Sequence, residues 1–424
     1  MRALILSTTT GYQLRSFGEA AERAGIDLMF ATDRCHRIDD PWRDAAVAVR
    51  FHDEDASLRA IVAAAKSRPI DGVLAVGDRP VVLAARAAAA LGLPGNPPAA
   101  AAASINKKLS REAFAAAGLA VPWFFESDAP ALRIAADPRV SYPCVVKPLG
   151  LSGSRGVIRA NNRGELEAAV ERLRRLLDRP DVRALRTGLD RTILVEGFIE
   201  GREYAIEGVL TAGTFRCFAI FDKPDPLDGP FFEETIYVTP SQLAAADQSA
   251  AIEHVGRAVR ALGLVQGPVH AEFRIGAAGL FLLEVAPRPI GGLCSKVLRF
   301  TPSSPDDSRV ATLEDVLLRH AVGEDLSNCS REACAAGVMM IPIPRRGMLK
   351  RVTGIDRASA ISGVEEVRIT AKADQLLEPL PEAASYPGFI FARGADSRSV
   401  VRALKEAQAL LEFEIAAPIP LALR

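Results

Sequence analysis

A glycine- and serine-rich run that follows a lysine is the segment best suited to bind an anion. Lys147 ends an apolar, strand-like segment, and the run behind it contains Gly150, Ser152, Gly153, Ser154 and Gly156. Glycine lets successive backbone N–H groups turn toward an anion, and the lysine adds a positive charge. The run fits neither G-x-x-x-x-G-K-[ST] nor G-x-G-x-x-G. It predicts a phosphate-binding loop, and a glycine-rich hairpin turn is the alternative.

Two glutamates flank the next candidate, a strand-like segment that turns at Gly201. Glu196 precedes the turn and Glu203 follows it. Such a segment can offer backbone groups to the edge of an adenine and a carboxylate to ribose hydroxyls. Surface glutamates beside a turn are the alternative interpretation.

A third candidate is a hairpin whose strands cover 269–275 and 280–288. Side chains alternate between the two faces of a strand, so His270 and Glu272 share one face of the first strand. The register that pairs His270 with Glu284 puts both carboxylates on that face. A slip of one residue would separate them.

Two carboxylates on one face repel each other unless a cation lies between them. Mg²⁺ prefers hard oxygen ligands and takes one or two carboxylates together with nucleotide phosphates and water. Glu272 and Glu284 are therefore predicted to hold Mg²⁺. Two unrelated strand glutamates are the alternative.

Other residues in the same part of the chain are weaker candidates for a functional site. Glu233 and Glu234 either present carboxylates to a substrate amine or lie in a surface loop. Cys144 and Cys294 have apolar neighbours, which favours buried thiols that fill space over nucleophiles.

The elements that must position these residues fall into three regions. Strand-like and helical segments alternate over about the first hundred residues, which predicts a parallel, doubly wound sheet. The predicted strands there are 3–6, 28–31 and 72–76, and the predicted helices are 13–24 and 56–66. From Tyr142 the strands follow one another through short glycine-containing connections, which favours antiparallel pairing. The Ser/Pro/Asp-rich stretch 302–308 predicts a linker into the third region.

Length and composition exclude several classes of protein. At about 150 residues per domain, 424 residues predict two or three domains. The 52 Lys and Arg residues balance the 52 Asp and Glu residues, so the basic excess typical of nucleic-acid binding is missing. Six cysteines form no C-x-x-C pair, and no apolar run approaches the ~20 residues of a membrane span. We expect a cytoplasmic protein with no nucleic-acid and no membrane partner.

The order of the candidate features resembles that of the ATP-grasp superfamily. The features that carry the resemblance are Lys107 at a helix start behind Asn106, Lys147 before its glycine-rich loop, Glu196 with Glu203, and Glu272 with Glu284 and Arg288. The resemblance covers 104–300, which is expected to be a two-lobed ATP-grasp domain. Residues 1–103 look like a Rossmann-like pre-ATP-grasp domain, and 301–424 resembles the small α+β tail domain of L-amino-acid ligases and biotin carboxylases. The expected fold class is α/β and α+β multidomain.

The resemblance implies nucleotide-binding and metal-binding roles for the matching residues. Contacts to ATP phosphates are implied for Lys107, Lys147 and a closing loop with Ser152, Gly153, Ser154 and Gly156. Contacts to adenine are implied for Glu196 and the Phe198 backbone, and contacts to ribose for Glu203. Glu272 and Glu284 are implied to bind Mg²⁺, with Mn²⁺ as a substitute.

Three more positions bear on catalysis. Arg288 is implied to stabilise an acyl phosphate and the tetrahedral species that follows it. His270 stands where some ligases have arginine; it is expected to hydrogen-bond Glu284 or to contact substrate, and a structural histidine is the alternative. Ala286 stands where many family members have an asparagine metal ligand, so that ligand is missing here.

The implied activity is an ATP-dependent, ADP-forming carboxylate–amine ligase. Its partners would be ATP and small carboxylate and amine substrates, with amino acids favoured by the tail domain, and the resemblance allows a homodimer. The product would be an amide or a dipeptide made through an acyl phosphate. A biotin-carboxylase-like activity and a non-catalytic nucleotide-binding regulator are the rivals. The chain has no evident Met-Lys-Met carrier motif, and its full set of lysines, glutamates and Arg288 argues against lost catalysis.

Overall fold

The structure is a computed structural model that describes residues 1–8, 13–33, 46–189, 191–301, 310–383 and 385–417. The predicted linker at 302–308 lies outside these described residues. The predicted domain boundaries, 1–103, 104–300 and 301–424, stay predictions. No helix in the described ranges is long and apolar enough to cross a membrane.

The first region contains the predicted parallel sheet. Its strands are β1 (Arg2–Ser7), β2 (Asp27–Thr32), β3 (Ala46–Ala48) and β4 (Gly72–Val76), in the order β3-β2-β1-β4. All three strand pairs are parallel, which confirms the expected sheet type. The helices of this region are α1 (Leu14–Ala24), α2 (Glu54–Ser67) and α3 (Val81–Leu91). Two further helices, α4 (Pro98–Ile105) and α5 (Lys107–Ala116), lead into the next region.

A small antiparallel sheet follows, as the short connections predicted. Its strands are β5 (Phe124–Ser127), β6 (Cys144–Pro148), β7 (Ile158–Ala160) and β8 (Ile193–Gly197), in the order β5-β8-β6-β7. The associated helices are α6 (Ala131–Ala135), α7 (Arg163–Leu177) and α8 (Pro180–Arg183). The glycine-rich loop connects β6 to β7, so this sheet positions both Lys147 and the loop.

The next segments carry the metal-site candidates. They are β9 (Arg202–Thr211), β10 (Thr214–Asp222), β11 (Ile236–Thr239), α9 (Ala245–Leu262), β12 (Gly267–Gly276) and β13 (Gly279–Ala286). The remaining strands are β14 (Arg299–Phe300), β15 (Ala311–Thr312), β16 (Ala335–Met340), β17 (Gly347–Thr353), β18 (Val364–Ile369), β19 (Leu376–Leu377), β20 (Gly388–Gly394) and β21 (Glu412–Ala416). The remaining helices are α10 (Leu313–Ala321), α11 (Ile355–Ser359) and α12 (Ser397–Ala409), and a short 3-10 helix covers Cys294–Val297.

The central and C-terminal strands form one sheet of eight strands. Their order is β13-β12-β9-β10-β11-β16-β20-β18, so the sheet that carries the hairpin continues into the C-terminal part of the chain. One hydrophobic core also joins the three parts, since it contains Ile5 and Phe17, Phe221 of β10, and Val338 and Phe389. This shared core sets the relative positions of the walls of the cleft described next.

Candidate active site

The predicted site residues line one large cleft between the three parts of the chain. The cavity has a volume of about 1140 Å³. The parallel sheet supplies Asp78 after β4, the central region supplies most of the candidates, and the C-terminal part supplies Leu380 and Tyr386. Every predicted site residue lines this cavity except Gly156.

Gly156 has a structural role instead of the predicted phosphate contact. Its N–H donates to the Pro381 carbonyl at 2.9 Å, so this amide is already used. Its φ is +77°, and an added Cβ would come within 2.8 Å of Leu173. The neighbouring Arg155 Nε also donates to the Glu382 carbonyl, at 3.2 Å. The C-terminal part of the chain therefore holds one end of the glycine-rich loop.

Lys107 connects the other end of the loop to helix α5. The Asn106 side chain accepts hydrogen bonds from the amides of the first turn and so fixes where the helix begins. Lys107 is the first helical residue, and its Nζ donates to the Leu151 carbonyl at 2.6 Å. The lysine therefore lies against the loop, as a phosphate contact would require.

Lys147 forms a buried ion pair with Glu196, and Arg111 completes the cluster. Arg111 Nε lies 3.0 Å from Glu196 Oε2, and its Nη1 donates to the Leu282 and Leu283 carbonyls. Burial would raise the pKa of Glu196, but Arg111 and Lys147 outweigh it and lower the pKa to about 2. Burial lowers the pKa of Lys147 to about 8, against the attraction of Glu196.

This cluster changes the interpretation of Glu196. Its carboxylate was predicted to contact adenine, whereas both carboxylate oxygens bind Arg111 or Lys147. The side chain therefore positions Lys147. Arg111 was missed by the sequence analysis, although a charged residue three positions before Phe114 on a buried helix face was a usable signal.

The Phe198 backbone is also partly used within the fold. Its N–H donates to the Pro143 carbonyl at 3.0 Å, which contradicts a contact from this amide to adenine and leaves the carbonyl for an adenine amino group. Its ring lies 4.1 Å from the Arg159 guanidinium and 5.1 Å from that of Arg274. These cation–π contacts hold the ring in place at the cleft wall.

The β12–β13 hairpin brings Glu272 and Glu284 together, although in a different register from the predicted one. Near the turn, Phe273 pairs with Leu282, which is one residue away from the prediction. A β-bulge then leaves Leu283 unpaired and sets Glu272 directly opposite Glu284. Without the bulge, the observed register would turn the two carboxylates to opposite faces. The prediction of a shared face is thus confirmed. The cause is the bulge, which the alternation of side chains along a strand does not predict.

His270 does not meet Glu284 as predicted. The bulge pairs His270 with Ala286, and its Nδ1 lies 3.2 Å from Glu207 Oε2 while its Nε2 lies 3.6 Å from Glu272 Oε1. Burial would lower the pKa of His270, but these two carboxylates outweigh it and raise the pKa to about 9. The histidine is therefore a buried cation at neutral pH that orients Glu272.

Lys223, which the sequence analysis missed, lies at the centre of three carboxylates. Its Nζ lies 2.8 Å from Glu203 Oε1, 2.9 Å from Glu234 Oε1 and 2.8 Å from Glu272 Oε1, and its side chain is 2% exposed. Burial would lower the pKa of Lys223, but the three carboxylates hold it well above its ordinary value. Burial and the repulsion of Glu272 raise the pKa of Glu234 to about 7. The cluster also shows that Glu234 lines the cleft and does not belong to a surface loop.

Both oxygens of the Glu203 carboxylate, which was predicted to contact ribose, already bind cations. Lys223 binds one oxygen, and Arg274 Nε donates to the other at 2.9 Å. Arg274 also donates to the Ile199 and Leu227 carbonyls, so it braces this side of the cleft. Glu203 can therefore accept a ribose hydroxyl only in addition to two cations.

Arg288 extends from just beyond β13 into the same cleft, as predicted. Its Nε lies 2.8 Å from Asp78 Oδ1, and its Nη2 lies 3.4 Å from Glu284 Oε1. Burial would lower the pKa of Arg288, but Asp78 and Glu284 outweigh it and raise it, so the guanidinium stays charged. Asp78 was not recognised as a site residue from the sequence.

The donor set suits Mg²⁺ in its chemistry. Glu272 and Glu284 offer only carboxylate oxygens, the ligand type that Mg²⁺ prefers. Glu272 Oε1 is used by Lys223 and Tyr237, which leaves Oε2, and the Glu284 side chain is 27% exposed. The methyl group of Ala286 adds no ligand.

The two cysteines considered as nucleophiles, Cys144 in the core beside the small antiparallel sheet and Cys294 at the cleft, are buried thiols. Burial raises the pKa of Cys144 to about 12 and raises that of Cys294 as well. Reactive cysteines need the opposite shift. The expectation that these residues fill space therefore agrees with their surroundings.

Three family models of known protein domains each match a different part of the chain. A model of the ATP-grasp domain matches 140–297, one of the ATP-grasp N-terminal domain matches 18–95, and one of L-amino acid ligase C-terminal domain 2 matches 339–416. The crystal structure of an L-amino acid ligase from Bacillus licheniformis superposes with a TM-score of 0.82 at 28% identity, covering 98% of this chain and 99% of that one.

Two protein sequences extend the comparison. An uncharacterized protein of Sinorhizobium fredii is 28% identical over 375 residues, which are 87% of this chain and 73% of that protein. Human carnosine synthase 1 is 29% identical over 254 residues, which are 57% of this chain and 30% of that enzyme. The chain thus matches under a third of the length of the human enzyme.

Proposed function

Because the chain belongs to the ATP-grasp superfamily, we propose that it is an ADP-forming ligase that joins an amino-acid carboxylate to an amine. The observation that carries this proposal is the meeting of three kinds of group in one cleft. Lys107 and Lys147 can neutralise phosphates, Glu272 and Glu284 can hold Mg²⁺, and Arg288 can bind a further anion. Phosphoryl transfer to a carboxylate needs all three.

The chain's own side chains would position ATP. Lys147 is charged at neutral pH because its pKa of about 8 lies above it, and Glu196 and Arg111 hold it at the end of β6. Lys107 lies against the glycine-rich loop, so both lysines face the same part of the cavity. Mg²⁺ held by Glu272 and Glu284 would shield the charges of the phosphate oxygens.

Arg288 would bind and stabilise the acyl phosphate. In the proposed reaction a carboxylate oxygen attacks the terminal phosphorus and ADP leaves; the amine then attacks the acyl carbon, loses a proton and displaces phosphate. Negative charge develops in both steps, and a guanidinium fixed before the reaction stabilises it without reorganising. Glu284 and the Pro289 carbonyl hold Arg288 inside the cleft, beside the developing charge.

The cluster around Lys223 supports amino acids as substrates. Three carboxylates, those of Glu203, Glu234 and Glu272, face a single ammonium, and their ligand atoms lie within 4.8 Å of one another. Glu203 also binds Arg274, and Glu272 also lies beside His270, so Glu234, which is ionised above a pH of about 7, has Lys223 as its one cationic partner among the described residues. A second ammonium, the α-amino group of a substrate, is the complementary charge.

The test is ADP release by the purified full chain with MgATP and a matrix of amino-acid pairs. We expect ADP and phosphate in equal amounts, with an amide product, and only when a carboxylate and an amine are both present. Lys147→Ala should lose most of this ADP release while the protein stays folded. The matched control is Lys350→Ala, which removes a half-exposed lysine that pairs with Asp374 and should leave ADP release unchanged. ADP release that requires bicarbonate, or none with any pair, would overturn the proposal.

A further inference from the structure

Asp78 occupies a position in the fold where ligands of parallel sheets commonly bind. It follows Gly77 directly after the carboxyl end of β4 and precedes helix α3. In open α/β sheets, side chains at the carboxyl ends of the strands face the ligand crevice. The Asp78 side chain is 24% exposed and lines the cleft.

The Asp78 carboxylate binds the edge of Arg288 that a substrate anion would need. Arg288 Nε lies 2.8 Å from Asp78 Oδ1, and Nη2 lies 3.5 Å from Oδ2, so two nitrogens of the guanidinium face two oxygens. This side-by-side arrangement is the usual way in which arginine binds carboxylates and phosphates. The Nη1 group donates to the Pro289 carbonyl at 3.2 Å.

A second cation acts on the same carboxylate. Burial would raise the pKa of Asp78, but Arg288 and Lys107 outweigh it and lower the pKa. Arg288 comes from the end of β13 and Lys107 from the start of α5, and Lys107 also donates to the Leu151 carbonyl of the glycine-rich loop. The proposed function assigns ATP phosphates to Lys107 and the acyl phosphate to Arg288. One carboxylate thus lies beside two cations that suit a phosphoryl anion.

We propose that Asp78 is an internal competitor for the phosphoryl group: it binds Arg288 before nucleotide enters, and it releases Arg288 when a phosphoryl group takes its place. This inference rests on the proposed function, because that function places the phosphoryl group at Arg288. A single guanidinium edge binds one anion at a time, so the two cannot occupy it together. If Asp78 holds the edge nine-tenths of the time, nucleotide affinity is weakened about tenfold.

The alternative role is that of a positioning residue which stays bound to Arg288 throughout. The two roles predict opposite effects when the charge of Asp78 is removed. A competitor that is removed frees Arg288 and tightens nucleotide binding. A positioning residue that is removed lets Arg288 move and weakens or does not change binding.

The experiment is calorimetric titration of the full chain with the magnesium complex of an ATP analogue whose β–γ bridge is an imido group. We expect Asp78→Asn to lower the Kd at least about fivefold. Glu54→Gln is the matched control: Glu54 also lines the cleft, but its partner is Arg86, at 3.0 Å. The control loses the same charge and should change the Kd less than about twofold. An Asp78→Asn Kd that is unchanged or higher would overturn the proposal.

A melting experiment separates competition from loss of folding. Without nucleotide, Asp78→Asn should melt below the wild type, since a cross-region ion pair is lost, while the rise in melting temperature caused by the analogue should be larger than in the wild type. A smaller rise would contradict the proposal. If Asp78→Asn does not purify as a folded protein, Asp78→Ser provides the same comparison. Ligase failure with normal analogue binding would refute the proposed function alone, whereas an active ligase without tighter binding would refute only the role of Asp78.

Discussion

Replacing Lys223 by methionine tests the reasoning about the cleft most directly. Methionine keeps the length and the apolar stem of the side chain but removes the ammonium that lies 2.8–2.9 Å from three carboxylates. Removing one partner of a buried ion pair costs about 3–5 kcal/mol, because the other charge is left buried without a partner. Arg274 still pairs with Glu203 and His270 still lies beside Glu272, so Glu234 is the carboxylate left without a cationic partner among the described residues, and we expect a loss within this range at pH 8.

The loss should depend on pH in a defined direction. Burial and the repulsion of Glu272 and Glu203 already raise the pKa of Glu234 to about 7, above the ordinary 4.5, and Lys223 opposes this rise. A carboxyl whose pKa is raised by folding destabilises the fold as pH increases from the unfolded pKa to the folded pKa. Without Lys223 the rise is larger. The variant should therefore recover much of its stability at pH 5, where Glu234 is protonated.

Mg²⁺ should also stabilise the variant more than the wild type. The three carboxylates have ligand atoms within 4.8 Å of one another, and once the ammonium is gone they offer an all-oxygen site. The assay is urea denaturation followed by circular dichroism at pH 5 and pH 8, with and without Mg²⁺. Lys350→Met is the control, because Lys350 is half exposed and its pairing with Asp374 should contribute about 0.5 kcal/mol or less. A loss below about 1 kcal/mol for Lys223→Met, with no effect of pH or Mg²⁺, would refute the reasoning.

Four further predictions concern the proposed reaction. Glu272→Gln and Glu284→Gln should each abolish Mg²⁺-dependent ADP formation while the far-UV circular dichroism stays that of the wild type; full activity in either variant would contradict the metal assignment. Arg288→Lys should lower ADP formation strongly in the same assay, since an ammonium cannot reproduce the two parallel hydrogen bonds of a guanidinium. Nucleotide affinity should be highest below pH 8 and fall as pH rises through about 8, where Lys147 loses its proton. Lys147→Arg should move this fall to higher pH. An affinity that does not change with pH would contradict Lys147 as a phosphate ligand. Amides of residues 150–154 should exchange slowly only with MgATP, whereas that of Gly156, which donates to the Pro381 carbonyl, should be protected in both states.

Local patterns in the sequence were sufficient to predict much of the fold. The alternation of strands and helices predicted the parallel sheet, and the predicted strands 28–31 and 72–76 agree with β2 and β4. These predictions succeed because hydrophobic periodicity and turn residues act over a few neighbouring positions. The shared face of Glu272 and Glu284 was also predicted, but the bulge that produces it was not. A bulge depends on how two strands fit their neighbours, and β12 pairs with β9 as well as with β13.

The sequence by itself determined which residue types could bind phosphate and metal, because lysines, glycines and glutamates carry that chemistry wherever they lie. The tertiary structure alone decided which of these groups are free and which are already paired. Glu196 lies 85 residues from Arg111, and Arg288 lies 210 residues from Asp78, yet each pair is in direct contact. Such contacts depend on packing around one shared core, and no local spacing encodes them. Burial then decides charge, because carboxylates and ammonium groups removed from water must find partners inside the protein.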